Sequence, residues 1–90
     1  MRLETFTVVV GSASLDQSLS FRANYVAVDN YSNQWLYIPD IDRFVQPGRI
    51  NYVVPLYGTT RARAQFLTPP GQTAATTVTG QTARLVYSDS

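Results

Sequence analysis

Asp40 and Asp42 stand two positions apart, with Asp29 nearby in sequence, and they are the only clustered carboxylates in the chain. Carboxylates on a loop can ligate calcium, which takes oxygen ligands from side chains and carbonyls. The spacing here fits no ordinary calcium loop, and an aspartate beside Pro39 serves turn chemistry. A glycosidase needs two carboxylates flanking a cleft; two aspartates on one loop, in a chain of 90 residues, leave nothing to build that cleft. Serine and threonine are plentiful, yet a hydroxyl nucleophile needs an activating base beside it. The chain has no histidine and no cysteine, and all seven basic residues are arginine. Imidazole catalysis, thiolate chemistry, disulfides and Cys/His zinc sites are excluded by inventory. The sequence predicts a protein that is not an enzyme and uses no metal or cofactor.

What is left is contact chemistry. Trp35 and Tyr37 share a face by strand parity, and with Tyr25, Tyr31, Tyr52 and Tyr57 they could build a flat aromatic platform of the kind that stacks on sugar rings. The competing reading is that a small β domain fills its core with rings. Arg61, Arg63 and Arg84 would form a basic ridge if the last strand neighbours the strand carrying Arg61. Nucleic-acid binding would want a basic excess with interleaved aromatics on that face, and a net charge of +1 supplies no such excess. Arginine also makes bidentate, weakly hydrated contacts, which suits salt bridges to a neighbouring subunit.

The elements that would position these residues are strands. Glu4 to Val10 alternates, with Phe6, Val8 and Val10 on one face. Leu15 to Ser20 is too short and serine-rich to hold a helix and reads as a loop or single turn. Phe21 to Asp29 is a strand with Phe21, Ala23, Tyr25 and Ala27 on one side and Val26 and Val28 on the other. Trp35–Ile38 and Asn51–Val54, each closed by a proline, read as neighbouring antiparallel strands. Arg43–Val45 is a short piece between them, followed by a turn at Gln46-Pro47-Gly48. Tyr57–Thr60 reads as a turn, and Arg61 to Phe66 alternates cleanly with Ala62, Ala64 and Phe66 inward. Alanine on an inner face implies close approach of whatever packs there. Thr68-Pro69-Pro70-Gly71 is a stop, Ala74–Val78 a weak strand, and Ala83–Tyr87 the last strand, with Ala83, Leu85 and Tyr87 inward.

Seven to eight short strands with frequent turn signals predict a single all-β domain over residues 1–90, a small antiparallel β-sandwich or compact jelly roll. Hydrophobic residues make up 44% and charged residues 14%, enough apolar material for a core and too little charge for a disordered tail. The N-terminal MRLETFTVVV mixes a glutamate and threonines into its apolar run, so it does not read as a signal peptide. No stretch approaches the roughly 20 apolar residues of a membrane span. Edge strands without lysine have little to deter strand addition, so the chain reads as one built to be covered by copies of itself or by another protein.

The order Asn33-Gln34-Trp35-Leu36-Tyr37-Ile38-Pro39, Phe44-Val45-Gln46-Pro47-Gly48, Val54-Pro55-Leu56-Tyr57-Gly58-Thr59, Arg61-Ala62-Arg63, Pro69-Pro70-Gly71 and Ala83-Arg84-Leu85-Val86-Tyr87 resembles small β-rich structural proteins of tailed bacteriophages. The resemblance covers most of the chain from Asn30 onward and is one of sequence style, with no functional motif to transfer. It implies a virion component, made in the host cytoplasm, that docks on a capsid or tail as a homo-oligomer beside other virion proteins. The second reading is a glycan-binding β-sandwich module using Trp35 and Tyr37.

Overall fold

The computed structural model describes all 90 residues. Six strands form: β1 (Leu3–Val9), β2 (Leu15–Asn30), β3 (Leu36–Ile38), β4 (Arg43–Val45), β5 (Tyr52–Phe66) and β6 (Thr82–Ser88). They make an antiparallel sheet in the order β1-β6-β2-β5-β3-β4. There is no α-helix; a 3₁₀ turn at Pro39–Ile41, started by its proline and ended by Asp42 at φ 50°, links β3 to β4.

The count is six because the expected Asn51–Val54 and Arg61–Phe66 strands merge into β5 and the expected weak strand after Gly71 does not form. Leu15 to Ser20, expected as a loop, is the first third of β2, paired to β5 from Leu15↔Ala64 to Ser18↔Arg61. Its serines do not break the strand because β5 supplies the backbone partners that an isolated segment would lack. Tyr57–Thr60, expected as a turn, lies inside β5. There Tyr57 (φ 54°) and Gly58 (φ 86°) take left-handed conformations and the strand bends without reversing. The Ala74–Val78 stretch is not a strand.

The two long strands slip past each other where they bend. Ser18 faces Arg61, but Ala23 faces Thr59 and Tyr25 faces Pro55, so extra residues bulge first from β2 and then from β5. Each bulge bends its strand and raises the local twist. One consequence is a change of face within β2. Phe21 and Ala23 are buried, then Val26 and Val28, so Tyr25 turns outward instead of following Phe21 and Ala23 into the core.

The bent six-stranded sheet measures 37 × 24 × 20 Å overall. A single core fills the fold, made by Val8 of β1, Phe21, Ala23, Val26 and Val28 of β2, Leu36 and Ile38 of β3, Val45 of β4, Val54, Leu56, Ala62 and Ala64 of β5, and Ala83, Leu85 and Tyr87 of β6. Ala62 and Ala64, expected inward, are fully or almost fully buried, as are Ala23 and Ala83. Small side chains at these positions let neighbouring core groups approach the strands closely. Tyr87 lies in this core with its ring edge-on to Phe6 at 5.8 Å. Burial, and then the Asp40 carboxylate, push its phenol well above the ordinary tyrosine range.

The pairing expected for the central region is not the one formed. Leu36–Ile38 lies between β4 and the far end of β5, with Leu36 opposite Val45 and Phe66. Tyr52–Val54 instead pairs with Val26–Val28 of β2. The short Arg43–Val45 strand takes the place beside β3 because the 3₁₀ turn returns the chain at once.

A buried polar hub fixes this region. Asn30 is fully buried; its Nδ2 donates to the carbonyls of Gln34 (2.9 Å) and Gln46 (3.2 Å), and its Oδ1 accepts from the Ser32 amide (3.1 Å) and hydroxyl (2.7 Å). Its own N–H donates to the Arg49 carbonyl at 2.8 Å. An asparagine turn signal read in the sequence thus becomes a clamp between the β2–β3 loop and the end of β4.

Candidate functional site

The fold separates the residues singled out by sequence. Leu36 and Ile38 point into the core, so Tyr37 takes the opposite face, where its ring packs on Phe44 at 4.5 Å. Its hydroxyl donates to Asp42 Oδ1 at 2.7 Å, which raises the Tyr37 pKa because ionisation would set two negative charges together. Trp35 is half-buried immediately before β3. Tyr25 lies on the outer face of β2, Tyr52 packs partly against the core, and Tyr57 is 82% exposed on the β5 bulge. The rings are spread over separate strands and do not build the single platform that their proximity in sequence suggested.

The arginine ridge does not form either. β6 lies between β1 and β2, away from the Arg61 half of β5. Arg61 meets Asp16 at 2.7 Å, Arg63 meets Asp40 at 3.2 Å, and Arg84 meets Asp29 at 3.0 Å. The three aspartates weighed as a cluster are likewise divided among different partners. Asp29 accepts the Asn51 amide at 2.8 Å besides binding Arg84. The Asn51 amide first, and Arg84 second, hold its carboxyl below the usual range.

What the fold does assemble is an apolar outer face across β1, β6, β2 and β5. The register sets two rows across these strands: Leu3, Ser88, Tyr25, Pro55, and Thr5, Val86, Ala27, Val53. Leu3 is 57%, Tyr25 44% and Val53 59% exposed, and Met1 lies beside them almost fully exposed. A shallow hollow of about 310 Å³ runs among Met1, Leu3, Tyr25, Ala27, Val53 and Val86. One border of the face is the Arg84–Asp29 pair; at the other end of the strands is the Arg2–Asp89 pair at 3.1 Å. No charged side chain stands inside it.

The sequence hid this face for a definite reason. Strand parity read through the β2 bulge assigns Tyr25 and Ala27 to the side of Phe21, and the change of face appears only in the register with β5. The available signal was that Val53 lies between Tyr52 and Val54, so one face of that strand had to expose an apolar residue unless both faces were covered. Comparison with protein-family models, with curated proteins and with solved structures gave no match.

Proposed function

We propose that this chain is a non-enzymatic structural component of a tailed-bacteriophage virion, a capsid decoration or a tail part, which assembles through its apolar outer face with further copies of itself. The observation carrying the assembly reading is that Leu3, Tyr25, Val53 and Val86 align in register on one uncharged sheet face with nothing packed on it. Contiguous apolar patches on a soluble protein mark contact sites. The virion assignment draws on the sequence resemblance, and the non-enzymatic reading on an inventory without histidine, cysteine or lysine. In this reading the bent sheet serves as a compact sandwich with one face left for its neighbours.

A second copy is the favoured occupant on electrostatic grounds. Each border of the face is a closed ion pair, so a copy placed across a twofold axis lying in the interface sets neutral border against neutral border. A net charge of +1 adds almost no repulsion. Strand spacing and rise give the face roughly 20 by 20 Å, or about 400 Å², against about 800 Å² per partner in a standard stable interface. A pair held through this face alone is therefore weak and forms only as concentration rises.

The virion assignment is tested by mass spectrometry of particles purified from lysates of the host that carries the gene. Peptides of this chain at many copies per particle support the assignment. Their absence from particles, with the protein present in the lysate, contradicts it.

A further inference from the structure

Four of the seven arginines, Arg2, Arg61, Arg63 and Arg84, are neutralised by aspartates within 4 Å. Of the three that are not, two converge on one ring. The Arg43 Nη1 donates to the Tyr52 hydroxyl, and the Arg49 guanidinium lies over the Tyr52 ring, 5.1 Å from its centroid. Arg43 and Arg49 are exposed, and Tyr52 is half-buried at the start of β5. Asp42, next to Arg43 in the chain, is held on the other side by the Tyr37 hydroxyl. The clamp residues stand outside the apolar face, beside the β4–β5 loop. Two like charges held on one aromatic support, without a counter-ion, are costly to keep together and gain from any anion that bridges them.

We propose that Arg43, Arg49 and Tyr52 form a carboxylate clamp that takes an acidic segment of a different protein. The arginines supply forked donors for carboxylate oxygens, and Tyr52 preorganises both, orienting one through its hydroxyl and the other through its ring. A second copy of the chain is a poor source of the anion. Asp16, Asp29, Asp40 and Asp89 are ion-paired, Asp42 accepts from Tyr37, and Glu4 accepts from the Ser20 amide and hydroxyl at 2.7 Å each. A nucleic-acid backbone would call for a track of cations, and the third unpaired arginine, Arg22, contacts the Gly58 region of the β5 bulge, outside the clamp. An acidic peptide fits a site of two charges better than a phosphodiester chain does.

The test is fluorescence anisotropy of a labelled hexaglutamate peptide titrated with the protein at low salt, beside a labelled thymidine dodecamer. Saturable binding of the peptide is expected, weakened at least tenfold in the Arg43→Gln/Arg49→Gln variant and severalfold in Tyr52→Phe, with Arg22→Gln unchanged. Circular dichroism checks that each variant is folded, and repeating the titration in Val53→Asp separates the clamp from self-association through the apolar face. Equal peptide affinity in the double variant, or tighter binding of the dodecamer through the same arginines, overturns the proposal.

Discussion

Asn30 carries more of this structure than its turn-forming type suggests. Replacing it with alanine removes a buried amide and leaves the Gln34 and Gln46 carbonyls and the Ser32 amide short of partners. Buried groups stripped of partners cost about 1–3 kcal/mol each before relaxation. We expect Asn30→Ala to lower unfolding free energy by about 2–4 kcal/mol, read from urea denaturation; a loss under about 0.5 kcal/mol would show that water or local movement replaces the clamp. Acid should act through Asp29. A carboxylate with a folded pKa below its unfolded value, about 3.9 for aspartate, stabilises the fold above that pH, and the contribution is lost as pH falls through the folded value. Asp29, Glu4 and Asp89 are all shifted downward, chiefly by backbone amides of Asn51, Ser20 and Arg2. The urea midpoint should therefore fall below about pH 4, and Asp29→Asn should flatten that fall while lowering the midpoint at neutral pH. An unchanged acid profile in the variant would remove Asp29 from the account.

At the scale of elements, the bends in β2 and β5 decide the architecture. Gly58 sits at φ 86°, where a side chain is strained, and an added Cβ would lie 2.9 Å from Arg22 Nη2, a flexible tip able to move aside. The expected cost of Gly58→Ala is then mainly backbone strain, about 1–2 kcal/mol. Tyr57 at φ 54° already bears such strain while exposing its ring. Tyr57→Gly should cost no stability and gain up to about 1 kcal/mol, measured by thermal melting; a clear loss would mean the ring packs on something that matters to the fold. These bends also explain what the sequence revealed. The alternation of β1, β6 and the Arg61–Phe66 half of β5 was legible because one face of each is buried, and Val8, Ala62, Ala64, Ala83, Leu85 and Tyr87 are inward as their spacing predicts. Tyr25 was not, because a bulge changes the face without any proline or glycine at that point. Gly58 was read as a turn because φ > 0 serves a reversal and a bulge equally well. The partner of Leu36–Ile38 was likewise out of reach, since strand pairing depends on the return of β5 from a distance. Of the residues read as contact candidates, Tyr37, Arg61, Arg63 and Arg84 bond to Asp42, Asp16, Asp40 and Asp29 of the same chain, partners that lie too far away in sequence or fold for spacing to reveal.

For the molecule as a whole, one bent sheet leaves an uncharged face whose outward residues come from four strands. We infer that further copies of the chain cover this face. Sedimentation velocity across about 1 μM to 1 mM, the range set by a weak interface, tests this most directly on the wild type and on Val53→Asp, which places a charge in the middle of the face. We predict a 10.0 kDa species at the lowest concentration that associates progressively as concentration rises, with the association abolished in Val53→Asp and the β-rich circular dichroism spectrum retained. A wild type that stays monomeric at every concentration, or a Val53→Asp variant that associates unchanged, would contradict the account.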